Sequence, residues 1–243
     1  MTYCVGILVR EGLALMADTR TNAGVDNIST YRKLRLFGND GERLVAVASA
    51  GSLSTTQTAV ERAVLGITAP DSGAIESINT APSIHRAAYL LGQALRLTRD
   101  EMDDMADGIN FDASLLVGGS VGREPARLFL VYSAGNFIEC GPDTPYLQIG
   151  ETKYGKPVLD RALTYETELY EAVKVGLISF TSTMRSNLSV GLPIDLIVAR
   201  TDAAKAELVH RIDEYDPYFR ELSDRWGAAL REAQMAIPKP PYN

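Results

Sequence analysis

The sequence predicts an α/β fold whose strands pair as antiparallel hairpins, and three observations carry that expectation. Val5, Ile7 and Val9 alternate with their neighbours, Arg10-Glu11-Gly12 supplies a turn, and Leu13, Leu15 and Ala17 resume the period of two, so the chain opens on a hairpin. Two long segments, 83–105 and 165–184, place their apolar residues at helical spacing instead. Further runs of strand alternation, bounded by Gly, Asn and Ser, lie between and after them. At 243 residues and 26.4 kDa, a single layered domain over 1–243 can bury a full core.

After the hairpin, residues 21–30 are polar and rich in Asn, Gly, Asp and Ser, which predicts a loop with strand-like edges. A strand begins at Lys33-Leu34-Arg35-Leu36-Phe37, Asn39-Asp40-Gly41 signals a tight turn, and Leu44 to Gly51 reads as a buried strand. The first helix has Ser54-Thr55-Thr56-Gln57 as its capping box, Val60, Ala63 and Val64 on its apolar face, and Gly66 as its stop. The second, over 83–105, carries Ile84, Ala88, Leu91, Leu95, Met102 and Met105, with Gly108 beyond it. Strands over 111–118, 127–133, 137–140 and 146–149 follow. Gly118-Gly119-Ser120-Val121-Gly122 reads as a hairpin turn, because its glycines are wrongly spaced for a dinucleotide fingerprint and no helix follows.

A short helix from Lys156 precedes the long one over 165–184, which carries Leu169, Val173, Gly176, Leu177, Phe180 and Met184 on one face. Ile194, Leu196 and Val198 alternate in a strand, and 207–212 forms another. Asp216-Pro217 then caps a C-terminal helix on which Phe219, Leu222, Trp226, Leu230 and Ala233 fall three and four apart. Residues 214–243 comprise this helix and a tail through Pro238-Lys239-Pro240-Pro241. Its apolar stripe leaves two readings open, core packing or contact with another subunit.

Composition narrows the function. Lys and Arg total 24 against 31 Asp and Glu, a net charge of −7 with no basic run, which argues against a nucleic-acid partner. No stretch of about twenty apolar residues suits a membrane span, and no basic segment leads into an apolar one, so neither membrane nor secretion is expected. Cys4 and Cys140 are far apart and in no metal-ligand spacing, which fits a reduced, cytoplasmic chain, with Cys4 as a small buried strand residue. Asp100, Glu101, Asp103, Asp104 and Asp107 read as a solvated helix end, because no histidine accompanies them. His85 is one of two histidines and reads as a surface or packing residue; that scarcity argues against a serine triad. No metal or organic cofactor is expected.

The first strand raises a chemical question. Termini fray unless something orders them, yet here alternation starts within four residues of Met1. A small residue after Met lets the initiator be removed, which leaves Thr2 with a free α-amine beside its hydroxyl. Such an amine has an ordinary pKa of roughly 7.7–8.0, so it is a base near neutral pH that can activate the hydroxyl without histidine. Three further residues supply what a terminal Thr lacks. Lys33 would stabilise the deprotonated hydroxyl and keep the amine neutral, and Asp18 would hold Lys33 charged and oriented. Gly51, ending its strand, would offer a backbone N–H to an oxyanion.

The opening Thr2-Tyr3-Cys4-Val5-Gly6, together with the run Ala17-Asp18-Thr19-Arg20-Thr21-Asn22-Ala23-Gly24-Val25-Asp26-Asn27-Ile28-Ser29, resembles the proteasome β-subunit family of the N-terminal-nucleophile hydrolases, and within it the bacterial ancestral β-subunit (Anbu) branch. The resemblance covers essentially the whole chain. It implies a four-layer αββα sandwich of two antiparallel sheets between helical layers, with an extra C-terminal helix. It also implies threonine-type hydrolysis of a peptide or amide substrate, self-association into a ring or helical multimer, and an unfolding or operon partner that the sequence does not identify.

Two further site residues come from the resemblance alone. Ser133 of Ser133-Ala134-Gly135 stands where family members place a serine touching the terminal amine, and Ser189 matches the serine of the family's Arg-Asp-x-x-Ser pattern. The Asp of that pattern is replaced by Ser186, a neutral hydroxyl, which points to weak or narrowly triggered hydrolysis. Two alternatives therefore stand beside the peptidase: a hydrolase of one small amide or peptide, and a proteasome-like assembly scaffold with little or no turnover.

Overall fold

The computed structural model describes residues 2–22, 28–104 and 108–242. Strands β1 (Tyr3–Val9) and β2 (Gly12–Asp18) form the opening hairpin, in register from Cys4 opposite Ala17 to Val9 opposite Gly12. Strands β3 (Arg20–Asn22) and β4 (Ile28–Thr30) pair at the edges of the polar segment; residues 23–27 of that expected loop lie outside the described residues. Strands β5 (Leu34–Asn39) and β6 (Arg43–Gly51) are joined by a turn in which Asp40 Oδ1 accepts from the N–H groups of Glu42 and Arg43 at 2.9 and 2.8 Å.

Helix α1 (Leu53–Leu65) starts directly off β6 and is capped by Ser52, whose Oγ accepts from Thr55 N at 3.4 Å. The expected cap at Ser54 is displaced because Ser52, the first hydroxyl after the strand, is still extended and already satisfies a first-turn N–H. Gly66 ends the helix as expected. Strands β7 (Ile67–Thr68) and β8 (Ile75–Glu76) make a small hairpin before α2 (Ile84–Asp103), which Ser83 caps through Arg86 N at 3.1 Å. Met105 and Asp107, expected at that helix's end, lie outside the described residues. Of the acidic residues there, Glu101 pairs with Arg62 at 2.5 Å and Asp100 with Arg99 at 2.7 Å.

Strands β9 (Ala113–Val121), β10 (Arg127–Val131), β11 (Phe137–Glu139) and β12 (Tyr146–Gly150) follow. The turn expected at Gly118–Gly122 is corrected here. Gly118 to Val121 continue β9 in ladder with Ala46 to Arg43, because all nine residues of β6 find partners, and Leu13 and Leu15 of the facing sheet pack into the space a Gly118 side chain would fill. Helix α3 (Lys156–Ala162) leads to α4 (Leu169–Ser186), which begins later than residue 165 because the Glu168 carboxylate caps it through Glu171 N at 2.8 Å. Strands β13 (Ile194–Arg200) and β14 (Leu208–Ile212) precede α5 (Pro217–Ala236), where Asp216 Oδ1 accepts from Phe219 N at 2.8 Å.

The strands assemble into two five-stranded antiparallel sheets, ordered β12-β1-β2-β13-β14 and β11-β10-β9-β6-β5. Cys4, Leu13, Leu15, Ala46, Leu116 and Leu128 fill the space between them. Val5, Ile7, Met16, Leu159, Leu177 and Phe180 pack the first sheet against α3 and α4, while Val45, Val117, Ala59, Leu90 and Leu91 pack the second against α1 and α2. The result is the αββα sandwich. Each large apolar side chain buried this way contributes about 1.5–3 kcal/mol, so three stacked cores hold the layers. Because β1 and β2 are covered on both faces, their alternation separates two cores rather than core from solvent.

Three peripheral features complete the fold. His85 sets its ring edge-on to Phe129 and Phe137 at 5.9 and 5.1 Å, a packing role. Helix α5 crosses α4 but buries only Phe219 and Leu222. No helix among the described residues is long and apolar enough to cross a membrane.

Candidate active site

Strand β1 is hydrogen-bonded on both sides, and this holds Thr2 at the open end of the first sheet. Glu151 N donates to Thr2 O at 2.7 Å, and Tyr3 N donates to Asp18 Oδ1 at 3.0 Å. The next side chain is an anchor. The buried Tyr3 phenol meets Ser179 Oγ at 2.9 Å and Gln148 Nε2 at 2.6 Å, and its ring lies 4.6 Å from that of Phe180. An ordered strand start at Thr2 is thus a product of long-range contacts.

Asp18 ends β2 and is fully buried, and Lys33, just before β5, is 5% exposed. Lys33 Nζ donates to Asp18 Oδ1 at 2.9 Å and to Arg20 O at 2.5 Å. Burial dominates and holds the Asp18 carboxyl above its ordinary 3.8, against the opposing pull of Lys33 first and then of the Tyr3 and Gly191 N–H groups. The neighbouring Cys4 thiol is pushed far above its ordinary value, by burial first and by Asp18 next, so it stays protonated and inert.

Thr2, Lys33 and Gly51 line one cleft of about 440 Å³, together with Thr21, Ser49 and Glu151. It lies where β1 and β12 of one sheet and β6 of the other end beside the start of α1. Gly51 has φ +102°, and a Cβ there would fall 2.3 Å from Asp112 O, so this bend from strand to helix requires glycine. The Thr21 Oγ1 is buried and without a partner among the described residues.

Of the six residues singled out in the sequence, Thr2, Lys33 and Gly51 share the cleft and Asp18 stands behind Lys33. Ser133 and Ser189 do not line it. Ser133, in the turn after β10, donates from Oγ to Asp112 Oδ1 at 2.8 Å and accepts at 3.4 Å from Ala113 N, the residue opposite Gly51 in the β6–β9 ladder. Ser189 N donates to Asn187 Oδ1 at 2.9 Å within the link from α4 to β13. That link reaches the cleft by another residue, since Asn187 Nδ2 donates to Glu151 Oε2 at 2.9 Å. Arg20 Nη1 also holds the link, donating to Leu188 O at 2.9 Å. Ser186, the last residue of α4, is exposed.

Glu151 was missed by sequence reasoning, and Asn187, one residue out of register with the family's aspartate, is given no role by it. Glu151 reaches Thr2 only through the pairing of β12 with β1, strands remote in sequence, and no local signal marks that pairing. Chemically, the arrangement joins a hydroxyl, a buried ammonium with its carboxylate, and the end of a strand in one concave site.

No family model matches the chain. Among solved structures it is similar to Anbu (ancestral beta-subunit) from Yersinia bercovieri, 44% identical, with 99% of this chain and 100% of that one covered and a TM-score of 0.88. It is also similar to the helical assembly of the Anbu complex from Pseudomonas aeruginosa, 41% identical, covering 99% and 100%, with a TM-score of 0.90. Among curated proteins, proteasome subunit beta 2 of Pyrobaculum calidifontis is 27% identical over 206 residues, 84% of this chain and 92% of that protein.

Proposed function

Because this chain belongs to the ancestral β-subunit (Anbu) family of proteasome-like proteins, we propose that it is a threonine-type N-terminal-nucleophile hydrolase of peptide or amide bonds, working inside a self-assembled multimer. The observation that carries the reading is the shared cleft of Thr2, Lys33 and Gly51, with Asp18 bound to Lys33.

Removal of Met1 frees the Thr2 amine. The amine nitrogen takes the Thr2 hydroxyl proton as Oγ bonds to the substrate carbonyl carbon, and the carbonyl π electrons move onto oxygen. The Gly51 N–H receives that oxyanion, a donor whose loss costs on the order of 10²–10³ in rate elsewhere. Lys33, paired with Asp18 at 2.9 Å, lowers the barrier by disfavouring a second cation at the resting amine and by stabilising negative charge on Oγ. Collapse of the intermediate breaks the C–N bond, and the departing nitrogen takes the proton from the ammonium. Water then hydrolyses the Thr2 ester, using the same amine as base.

Self-association rests on the helical assembly of the Pseudomonas relative and on α5, whose outer half finds no core within its own chain. The test is the intact mass of the purified protein before and after exposure to a peptide epoxyketone, which forms its ring adduct with the amine and hydroxyl of a terminal threonine. Loss of Met1 and a single adduct, absent in Thr2→Ala, is the expected result. A chain without Met1 that forms no adduct overturns the hydrolase reading, and sedimentation as a monomer overturns the assembly.

A further inference from the structure

Glu151 is a buried carboxylate in the cleft wall, only 7% exposed, and nothing in the chemistry above uses it. We propose that Glu151 is the positioning residue of the Thr2 α-amine: it orients the lone pair toward the hydroxyl and stabilises the ammonium once the proton has moved. The proposal rests on the hydrolase reading.

Register places the two residues together. Tyr3 lies opposite Gly150 in the antiparallel ladder, so the next pair is Thr2 with Glu151, and the Glu151 N–H already donates to Thr2 O at 2.7 Å. Directly opposed residues on one sheet face hold their Cβ atoms about 4.5–5.5 Å apart, within reach of a glutamate side chain. Gly150 makes this approach feasible. Its φ is +83°, and a Cβ there would fall 2.0 Å from Thr2 O, so any other residue would push Glu151 away from Thr2.

The carboxylate is also held. Asn187 Nδ2 donates to Oε2 at 2.9 Å, and the link that carries Asn187 is fastened by Arg20 through Leu188 O at 2.9 Å. A carboxylate fixed on one oxygen retains lone pairs on the other for a second donor.

The surrounding charges leave this role to Glu151. From β2 comes Asp18, from the segment before β5 Lys33, and these two neutralise each other at 2.9 Å. From β3 comes Arg20, whose guanidinium bonds Leu188 O and whose carbonyl accepts from Lys33. Lys153, after β12, lies 3.7 Å from Glu151 but is 78% exposed, where water screens it. The start of α1 contributes only the uncharged Leu53 and Thr56. Among the described residues, Glu151 is thus the carboxylate on the cleft wall beside Thr2 whose charge is not already taken up by a buried cation.

The proton balance is simple. The Thr2 Oγ–H bond breaks, the amine N–H bond forms, and Glu151 accepts a hydrogen bond from the ammonium without taking its proton. When the leaving nitrogen departs it collects that proton, and Glu151 returns to its starting contacts. An opposite charge in reach favours the ammonium, so Glu151 raises the proton affinity of the amine, offsetting part of the Lys33 effect.

The test compares wild type with Glu151→Gln, each as full chain with Met1 loss checked by intact mass, and follows the rate of adduct formation with a peptide epoxyketone across pH. Glutamine keeps the backbone bond to Thr2 and an oxygen for Asn187 while removing the charge. The expected result is adduct formation about tenfold slower, the lower end of what a positioned proton-transfer group contributes, or slower still. The acid limb of the profile is expected about one unit lower, the small end of the shift an adjacent opposite charge produces. A slower reaction with an unmoved acid limb marks a merely structural role and overturns the proposal, as does an unchanged rate. Glu151→Asp, which keeps the charge, guards against misfolding of the Gln variant. It is expected to lose rate but hold the wild-type limb, and a limb shifted downward in it overturns the proposal. No adduct in mature wild type overturns both this role and the hydrolase reading, whereas a reactive wild type with an unaffected Gln variant removes the Glu151 role alone.

Discussion

Strand β1 buries every residue from Tyr3 to Ile7, whereas helix α5, twenty residues long, buries only Phe219 and Leu222. The first is held by others: a strand on each side, helix α4 above, the second sheet below. The last is shaped by the Asp216 cap and its own backbone bonds, is anchored on the core by Phe219, Leu222 and the Trp226 bond to Ser182, and leaves Leu230 51% and Met235 79% exposed. A terminus ordered by long-range contacts can present a reactive group at a fixed place. A terminus ordered by local signals extends an apolar face outward, which suits contact with a second copy.

If that contrast is sound, the largest effect belongs to the N-terminal end. Lys33→Met leaves Asp18 buried and unpaired, and loss of one partner of a buried ion pair typically costs about 3–5 kcal/mol. Urea unfolding should show that loss together with abolished epoxyketone adduct; an unaltered midpoint would mean the pair is not structural. Gly150→Ala comes next, since it combines a left-handed backbone with a clash at Thr2 O, and a strained position of this kind costs about 1–3 kcal/mol. Its midpoint should fall and its adduct rate with it, while a near-neutral result would show that the strand end is looser than the register implies.

Acid sharpens the comparison further. The Asp18 carboxyl is raised by burial, so folding favours its protonated form; its contribution to stability is complete below the ordinary 3.8 and is lost as pH rises through the folded value. Asp18→Asn removes that titration, so the urea midpoint of the wild type relative to this variant should fall as pH rises from below 3.8 toward neutrality, and a pH-independent difference would contradict this. The smallest effect belongs to α5. Leu230→Ser should change the unfolding free energy by no more than about 0.5 kcal/mol, as exposed substitutions usually do, while shifting sedimentation toward smaller species. A large destabilisation would place Leu230 in a core that the single chain does not form.

Local chemistry made much of the fold legible. Asn39-Asp40-Gly41 turns β5 into β6, Gly66 ends α1, and Asp216-Pro217 starts α5 as their chemistry predicts. It misled at Gly118–Gly122, where glycines serve a continuing strand packed closely against the facing sheet. At the cleft, Thr2, Lys33 and Gly51 could be picked out because a hydroxyl, an ammonium and a strand-ending glycine have recognisable chemistry, with Asp18 as the obvious counter-ion. Ser133 matched a local pattern but sits on the second sheet, bonded to Asp112. Glu151 matched no pattern, and it reaches the cleft through a ladder between the first strand and the twelfth.

The sequence by itself determined the helix caps, the hairpin turns, the periodicity of each layer and the stock of groups available near the first strand, because these depend on neighbours within a few residues. Only the tertiary structure decided which of those groups meet. Burial of Asp18 against Lys33, the approach of Glu151 to Thr2 across Gly150, and the bonding of Ser133 to Asp112 follow from how strands remote in sequence pair and stack. Those pairings are set by the fit of three cores at once, and no local window of the chain contains that information.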